Sequence, residues 1–283
     1  MKVRQSDLKT WAKCPLIYKY EQIDMVPRLQ SGALTFGSII HDCVMWMELN
    51  QDVETAIARF EFYWADPSRF SRDMNDGQDY RIDYYVRGTN WRKYAEDGPR
   101  ILRNWWSIIQ WDSALVLGRE FTFDVPIGDG HVLHGTIDKL EISYYGKLGT
   151  FAVKISDYKT NRKTPTYGYL EEDLQFSAYG YATTLLTFWE QLCAANGWPV
   201  EQAQQLFDQY KDLPRRGEWV ALADPKRMDA GERTERHYRR LVMAVNALGL
   251  SVAMRIFVPT ISGETCLYCD YRNHCGLPPR EED

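Results

Sequence analysis

A chain of 283 residues, 45% hydrophobic and 14% aromatic, holds enough apolar material for a large buried core, which excludes a disordered chain. Its start, MKVRQSDLKTWAKC, carries no apolar leader core, and no stretch approaches the roughly 18 apolar residues of a membrane span, so a cytoplasmic protein is expected. A formal charge of -5 excludes attraction of the whole surface to polyanions and leaves it to local basic runs: Lys154 to Lys163, Arg215 with Arg216, and Arg233, Arg236, Arg239 and Arg240.

Ser6 and Asp7 ahead of Leu8, Trp11 and Ala12 predict a short helix that carries Cys14 near its end, with Pro15 marking the boundary. A second helix is expected from Phe36 and Gly37 through HDCVMWMEL. It sets His41, Met45 and Glu48 on related faces at i, i+4 and i+7 and continues over 51–64. From Ala65 to Gly98, Pro67, Gly77, Gly88 and Gly98 punctuate a polar stretch that reads as a loop-rich, partly helical insertion. Ile101 to Trp111 has the apolar density of a buried helix.

The pattern changes at Glu120, where EFTFDVPI alternates apolar and polar residues. With the Gly128-Asp129-Gly130 turn and HVLHGTIDKLEIS it reads as a β-hairpin. FAVKISDYKT is expected as a third strand beside it, followed by one helix from about Tyr169 to Ala194. QQLFDQYKDL and GEWVALAD suggest two more strands before a helix from Ala230 to about Arg255.

Side chains alternate across a strand, so Asp157 and Lys159 share a face while Tyr158 points away. If this strand pairs with GTIDKL, Asp138 lies beside Asp157, and two carboxylates so close require a cation. Magnesium or manganese suits such oxygen donors, and phosphate chemistry follows, with Lys159 able to orient a nucleophile or neutralise charge. Spacing alone fits an exposed surface ion pair equally well. The accompanying set decides: His41, Gly135-x-x-Asp138, Asp157-x-Lys159 and Gln175-x-x-x-Tyr179.

Cys266-x-x-Cys269-x5-Cys275 gathers three thiols, and Cys14 beside Pro15 supplies a fourth from far away in the chain. Four thiolates suit either zinc or an iron–sulfur cluster. Cys43 and Cys193 lie in apolar helical segments and read as buried small hydrophobes.

Over almost the whole chain this set resembles the RecB-like branch of the PD-(D/E)xK nucleases, which includes AddB nuclease domains and CRISPR-associated adaptation exonucleases. The resemblance implies an α/β restriction-endonuclease-like core: a central mixed sheet of about four or five strands flanked by helices, in a single domain over 1–283. A helical insertion would occupy about 51–118 and the nuclease core about 119–255. It implies metal ligation by His41, Asp138, Asp157 and the carbonyl of Tyr158, catalysis by Lys159, and support of DNA and site geometry by Gln175 and Tyr179. Glu120 is a candidate outer-shell acid. Cys14, Cys266, Cys269 and Cys275 would hold a 4Fe-4S cluster that clamps the ends of the fold.

The activity implied is metal-dependent hydrolysis of DNA, as an exonuclease on single strands or ends, with endonuclease action left open. Recombination, repair and CRISPR adaptation all fit, phage-encoded or not, with unwinding left to a helicase or another partner because the chain has no phosphate-binding loop. Aromatic and arginine side chains between Tyr80 and Trp111 could stack on single-stranded DNA, or equally form a packed lid. Two rivals remain at this point: a non-catalytic iron–sulfur DNA-binding scaffold on the same fold, and a zinc-stabilised RNA-processing enzyme. His131, His134, His237 and His274 receive no role.

Overall fold

The computed structural model of the chain describes residues 1–26, 30–74, 82–83, 91–109, 114–160, 164–260, 263–267 and 269–276. It opens on strand β1 (Lys2–Arg4), and Asp7 accepts the Arg4 N–H at 2.8 Å to cap helix α1 (Gln5–Lys13). Pro15 marks the boundary as expected: Cys14 before it is extended and ends α1, and Pro15 opens α2 (Pro15–Tyr18), where its missing N–H costs no bond; a π-helical turn over Lys19–Ile23 follows.

After the short strand β2 (Gln30–Ser31) comes α3 (Gly32–Asn50), which begins a turn earlier than its periodicity suggested. It stops because Gln51 takes φ 53° and Asp52 accepts the N–H groups of Glu54 and Thr55, starting a separate helix α4 (Val53–Ala65). Helix α5 (Pro67–Met74), strand β3 (Ile82–Asp83, paired with β2) and helix α6 (Trp91–Ile108) follow. Of the stretch read as a loop-rich insertion, 75–81 and 84–90 lie outside the described residues, as do 110–113. Tyr80, Tyr84, Tyr85, Arg87 and Trp111 of the proposed stacking run fall there. Trp105 is buried and Trp64 stacks on Trp91 with ring centroids 3.7 Å apart, so these described tryptophans serve packing. Together α3, α4 and α6 bury Phe36, Ile40, Val44, Phe60, Trp64 and Trp105 in one helical layer.

Strands β4 (Ala114–Ile127) and β5 (His131–Tyr145) form the expected hairpin. Gly128 and Gly130 take φ 54° and 76°, which glycine adopts at little cost. Strand β6 (Thr150–Lys159) runs antiparallel to β5 from Tyr145–Thr150 to Lys139–Ser156. The single helix expected over 169–194 is three: α7 (Tyr167–Glu171), α8 (Leu174–Ala182) and α9 (Leu186–Ala195). Asp173 caps α8. Thr183, whose carbonyl takes the Arg215 guanidinium and the Trp189 indole, separates α8 from α9.

QQLFDQYKDL is not a strand but helix α10 (Gln202–Tyr210), burying Ala203 and Tyr210 two turns apart. GEWVA of the segment GEWVALAD lies in β7 (Arg215–Ala221), parallel to β6, and the rest forms the turn after it. Ala230 belongs to β8 (Lys226–Arg233), antiparallel to β7, so the long helix α11 (Glu235–Met254) starts later than expected, at the Thr234 cap. Helix α12 (Gly263–Leu267) and a 3-10 turn over Arg272–Cys275 close the description.

The result is an α/β fold whose mixed sheet has six strands: the expected β4, β5, β6 and β7, and two that were not expected, β8 and the three-residue β1, which joins in parallel and is too short to show alternation. One face packs under α8, α9 and α11 with Val153, Ile155, Phe176 and Leu241. The other packs under α3, α4 and α6. Beside β5, β1 pairs at His134 and earlier and β6 at Lys139 and later, leaving 135–138 without a ladder partner on that edge among the described residues.

Candidate active site

Asp138 lies in that gap. Ile137 and Leu140 both join the same core although a regular strand would point them to opposite faces. The alternation is interrupted where Asp138 sits. Across from it, between the pairs Arg119–Lys139 and Phe121–Ile137, Glu120 takes φ 44°, a left-handed conformation costly for a non-glycine residue. The Tyr158 N–H, on the edge of β6 facing the gap, donates to Asp138 Oδ2 at 2.5 Å.

From the helical layer, His41 of α3 brings Nδ1 to 3.6 Å from Asp138 Oδ2 and 3.7 Å from Glu120 Oε1. The ligand atoms of His41, Glu120 and Asp138 all lie within 4.8 Å of one another, the arrangement a cation needs. Burial opposes charge on His41, but Asp138 and Glu120 outweigh it and push its pKa up to about 9.

Asp157 stands beside this group. Burial, aided by Asp138 and opposed by Lys159, pushes its carboxyl up to about 6. Its Oδ1 accepts Lys159 Nζ at 2.7 Å and Gln175 Nε2 at 2.6 Å. Asp173 accepts the Gln175 N–H at 2.6 Å and so sets the first turn of α8. Gln175 Nε2 also reaches the Tyr179 hydroxyl at 3.2 Å. Burial opposes the Lys159 charge, yet Asp157 and Asp138 raise its pKa, so the ammonium persists. Asp157, Lys159 and Gln175 line a cleft of about 470 Å³ with Lys9, Tyr169 and Trp219.

The structure thus brings together the histidine, both aspartates, the lysine, the glutamine and the tyrosine singled out in the sequence. Glu120 lies among the closest three. Behind the site runs a buried charge network that no motif announced, in which Glu48 meets Tyr158, Trp105, Arg119 and Lys139. Its one sequence signal was a glutamate two turns after His41 on an apolar helix. The basic runs largely dissolve: Lys154, Arg215 and Arg233 are buried, Arg216 pairs with Asp229 and Arg236 with Glu172, and Lys163 lies outside the described residues.

Cys14, Cys266, Cys269 and Cys275 line a second cavity, of about 230 Å³. The Thr260 N–H donates to Cys14 Sγ at 3.4 Å, and Cys266 Sγ lies 3.6 Å from the Thr260 carbonyl. Cys43 and Cys193 are fully buried elsewhere. No helix among the described residues is long and apolar enough to cross a membrane.

The family model of the PD-(D/E)XK nuclease superfamily matches residues 3–276. No curated protein sequence matches the chain. Among solved structures, one from Eubacterium rectale, provisionally assigned as an exonuclease, aligns over 100% of this chain and 91% of its own at 12% identity and a TM-score of 0.49.

Proposed function

Because the chain belongs to the PD-(D/E)XK nuclease superfamily, we propose that it is a divalent-metal-dependent DNA exonuclease acting on single strands or ends. The observation that carries this is the meeting of His41, Glu120 and Asp138 within 4.8 Å, beside an Asp157–Lys159 pair on the wall of an open cleft. Two carboxylates and one imidazole suit magnesium or manganese, with Asp157 and the Tyr158 carbonyl completing the set. When bound, such a cation supplies positive charge against the scissile phosphate and makes a nearby water more acidic.

The chain's own groups do the rest. Lys159 stays charged and faces the charge that builds on the phosphate. Asp157, when ionised, can take a proton from the attacking water, and Gln175 fixes its orientation from the α8 cap. Tyr167 and Tyr169, 57% and 60% exposed, offer ring faces to unpaired bases beside the cleft.

Digestion of 5′- and 3′-end-labelled single- and double-stranded DNA with magnesium or manganese, by wild type and Asp157→Ala, tests this reading. Loss of degradation from one end in the variant is the expected result. Equal activity in both proteins would sink the assignment of this site, and no degradation by wild type would favour the non-catalytic scaffold.

The four-thiol cavity supports a 4Fe-4S cluster holding Cys14 to the 266–275 segment. A broad visible absorption after anaerobic purification, lost in Cys14→Ser and Cys275→Ser but kept in Cys43→Ser, is expected. A colourless, zinc-loaded protein would return the site to zinc and revive the RNA-processing alternative. Thiolate ligands suit the reducing cytoplasm. A single unit with an insertion over about 51–118 and a core over about 119–255, supplied with DNA ends by a helicase, recombination or adaptation partner, completes the reading.

A further inference from the structure

We propose that Glu48 is the positioning residue that holds Glu120, Asp138 and Asp157 in place relative to His41, an inference that rests on the nuclease reading above. Glu48 follows His41 by two turns of α3 and is 4% exposed. Its Oε1 accepts the Tyr158 hydroxyl at 2.8 Å and Trp105 Nε1 at 3.3 Å. Its Oε2 accepts Arg119 Nε at 3.0 Å and lies 3.5 Å from Lys139 Nζ.

Three of these four donors are chain neighbours of the site's carboxylates. Arg119 precedes Glu120, Lys139 follows Asp138, and Tyr158 follows Asp157. Each gripped residue shares a peptide bond with a carboxylate-bearing one, and peptide planarity leaves only two soft dihedrals per residue between them. Gripping 119, 139 and 158 therefore restrains the backbone from which each neighbouring carboxylate leaves. The same carboxylate is rigidly linked through α3 to His41, so one buried group references all four proposed ligands to a common point. Trp105, the fourth donor, ties this point to helix α6.

The charge matters as well as the shape. Arg119 and Lys139 are a guanidinium and an ammonium drawn onto one carboxylate oxygen, and a neutral residue there would release Arg119 and leave Lys139 to Glu141, 3.2 Å away, so that neither strand is held to α3 any longer. A network that merely stabilises the fold would lack this effect on the site. Glu218 provides the comparison: it accepts Ser156 Oγ at 3.0 Å and lies 3.5 Å from both Lys154 and Arg227, so among the described residues it touches a neighbour of Asp157 alone and none of Glu120 or Asp138, and it makes no link to the helix of His41.

Manganese titration of the full chain after chelation, followed by the electron paramagnetic resonance signal of free Mn²⁺, tests the proposal with melting curves run alongside. Glu48→Gln is expected to weaken Mn²⁺ binding about 10- to 100-fold, the range found when groups supporting metal ligands are removed. Glu218→Gln is expected to lower the melting temperature while weakening Mn²⁺ binding several-fold less than Glu48→Gln does. Should Glu48→Gln fail to fold, Tyr158→Phe, which deletes a single hydroxyl from the grip, is read in the same way, with an expected loss of at least threefold. Wild-type affinity in the folded Glu48→Gln or Tyr158→Phe protein, or equal weakening in Glu218→Gln, overturns the positioning role. Absence of Mn²⁺ binding by wild type overturns the nuclease reading itself and this inference with it, which keeps the two failures apart.

Discussion

The backbone N–H of Tyr158 donates to the carboxylate of Asp138 at 2.5 Å, across the gap where β6 leaves β5. A donor that would ordinarily complete a strand ladder instead orients an acid. Burial raises the Asp138 pKa, and His41, Lys159 and this N–H work against it. The sheet opens and the acid is anchored by one and the same bond.

Lys159→Met should lower kcat about 10²- to 10³-fold, the usual effect of removing one group that faces developing charge. Its ammonium is the near cation of Asp157, at 2.7 Å. Single-turnover digestion at saturating metal measures it, and an unchanged kcat would remove Lys159 from the reaction.

Glu120→Gly should stabilise the protein by about 1 kcal/mol while reducing metal affinity. Glu120 holds φ 44°, a conformation glycine adopts freely, so the substitution relieves strain as it deletes a carboxylate. Opposite movements of melting temperature and Mn²⁺ affinity are expected. A drop in both would mean the backbone there is not strained.

Gly135→Ala should cost roughly 1–3 kcal/mol through overpacking. An added Cβ would come within 2.8 Å of the Phe123 ring and 2.9 Å of the Tyr179 ring. Since Tyr179 meets Gln175, and Gln175 meets Asp157, the activity loss should exceed the loss in folded fraction. Circular dichroism melts beside a digestion assay would separate the two.

Acid sensitivity should depend on Glu141. Burial opposes its ionisation, but Lys139 and Lys154 overcome that and hold its pKa below the ordinary 4.5. A group depressed in the folded state adds stability above its ordinary pKa and loses it as pH falls through the folded value. Glu141→Gln should therefore destabilise the protein at neutral pH, because Lys139 and Lys154 keep only their longer contacts to Glu48 and Glu218, and flatten the acid limb of the stability curve. Denaturant titrations from neutral pH down into the acid limb measure both; an acid limb as steep as wild type would place the titrating group elsewhere.

The strands carrying Asp138 and Asp157 were legible because alternation and glycine turns are local signals. So was His41, once its helix was recognised. The break between α8 and α9 was not, because it depends on Arg215 reaching the Thr183 carbonyl across the fold. The α10 segment misled for a related reason: over a few residues, aromatic spacing serves a helix as well as a strand. Glu48 was the least legible of all. A lone glutamate on an apolar helix gives no sign that three strands will later deliver their cations and hydroxyl to it.

The parallel pairing of Lys2–Arg4 with Val132–His134 sets an order for biosynthesis. β1 leaves the ribosome long before β5 exists, and Cys14 precedes the other three thiols of its cavity by some 250 residues. At about 5–20 residues per second, the first thiol waits on the order of ten to fifty seconds for its companions. For about the first half of that interval β1 has no β5 to pair with, and Cys14 has no cavity until the last thiol follows. The nascent chain therefore passes through a stage in which its earliest segment is exposed to oxidants and stray metal ions, and is protected only once the last helix has emerged.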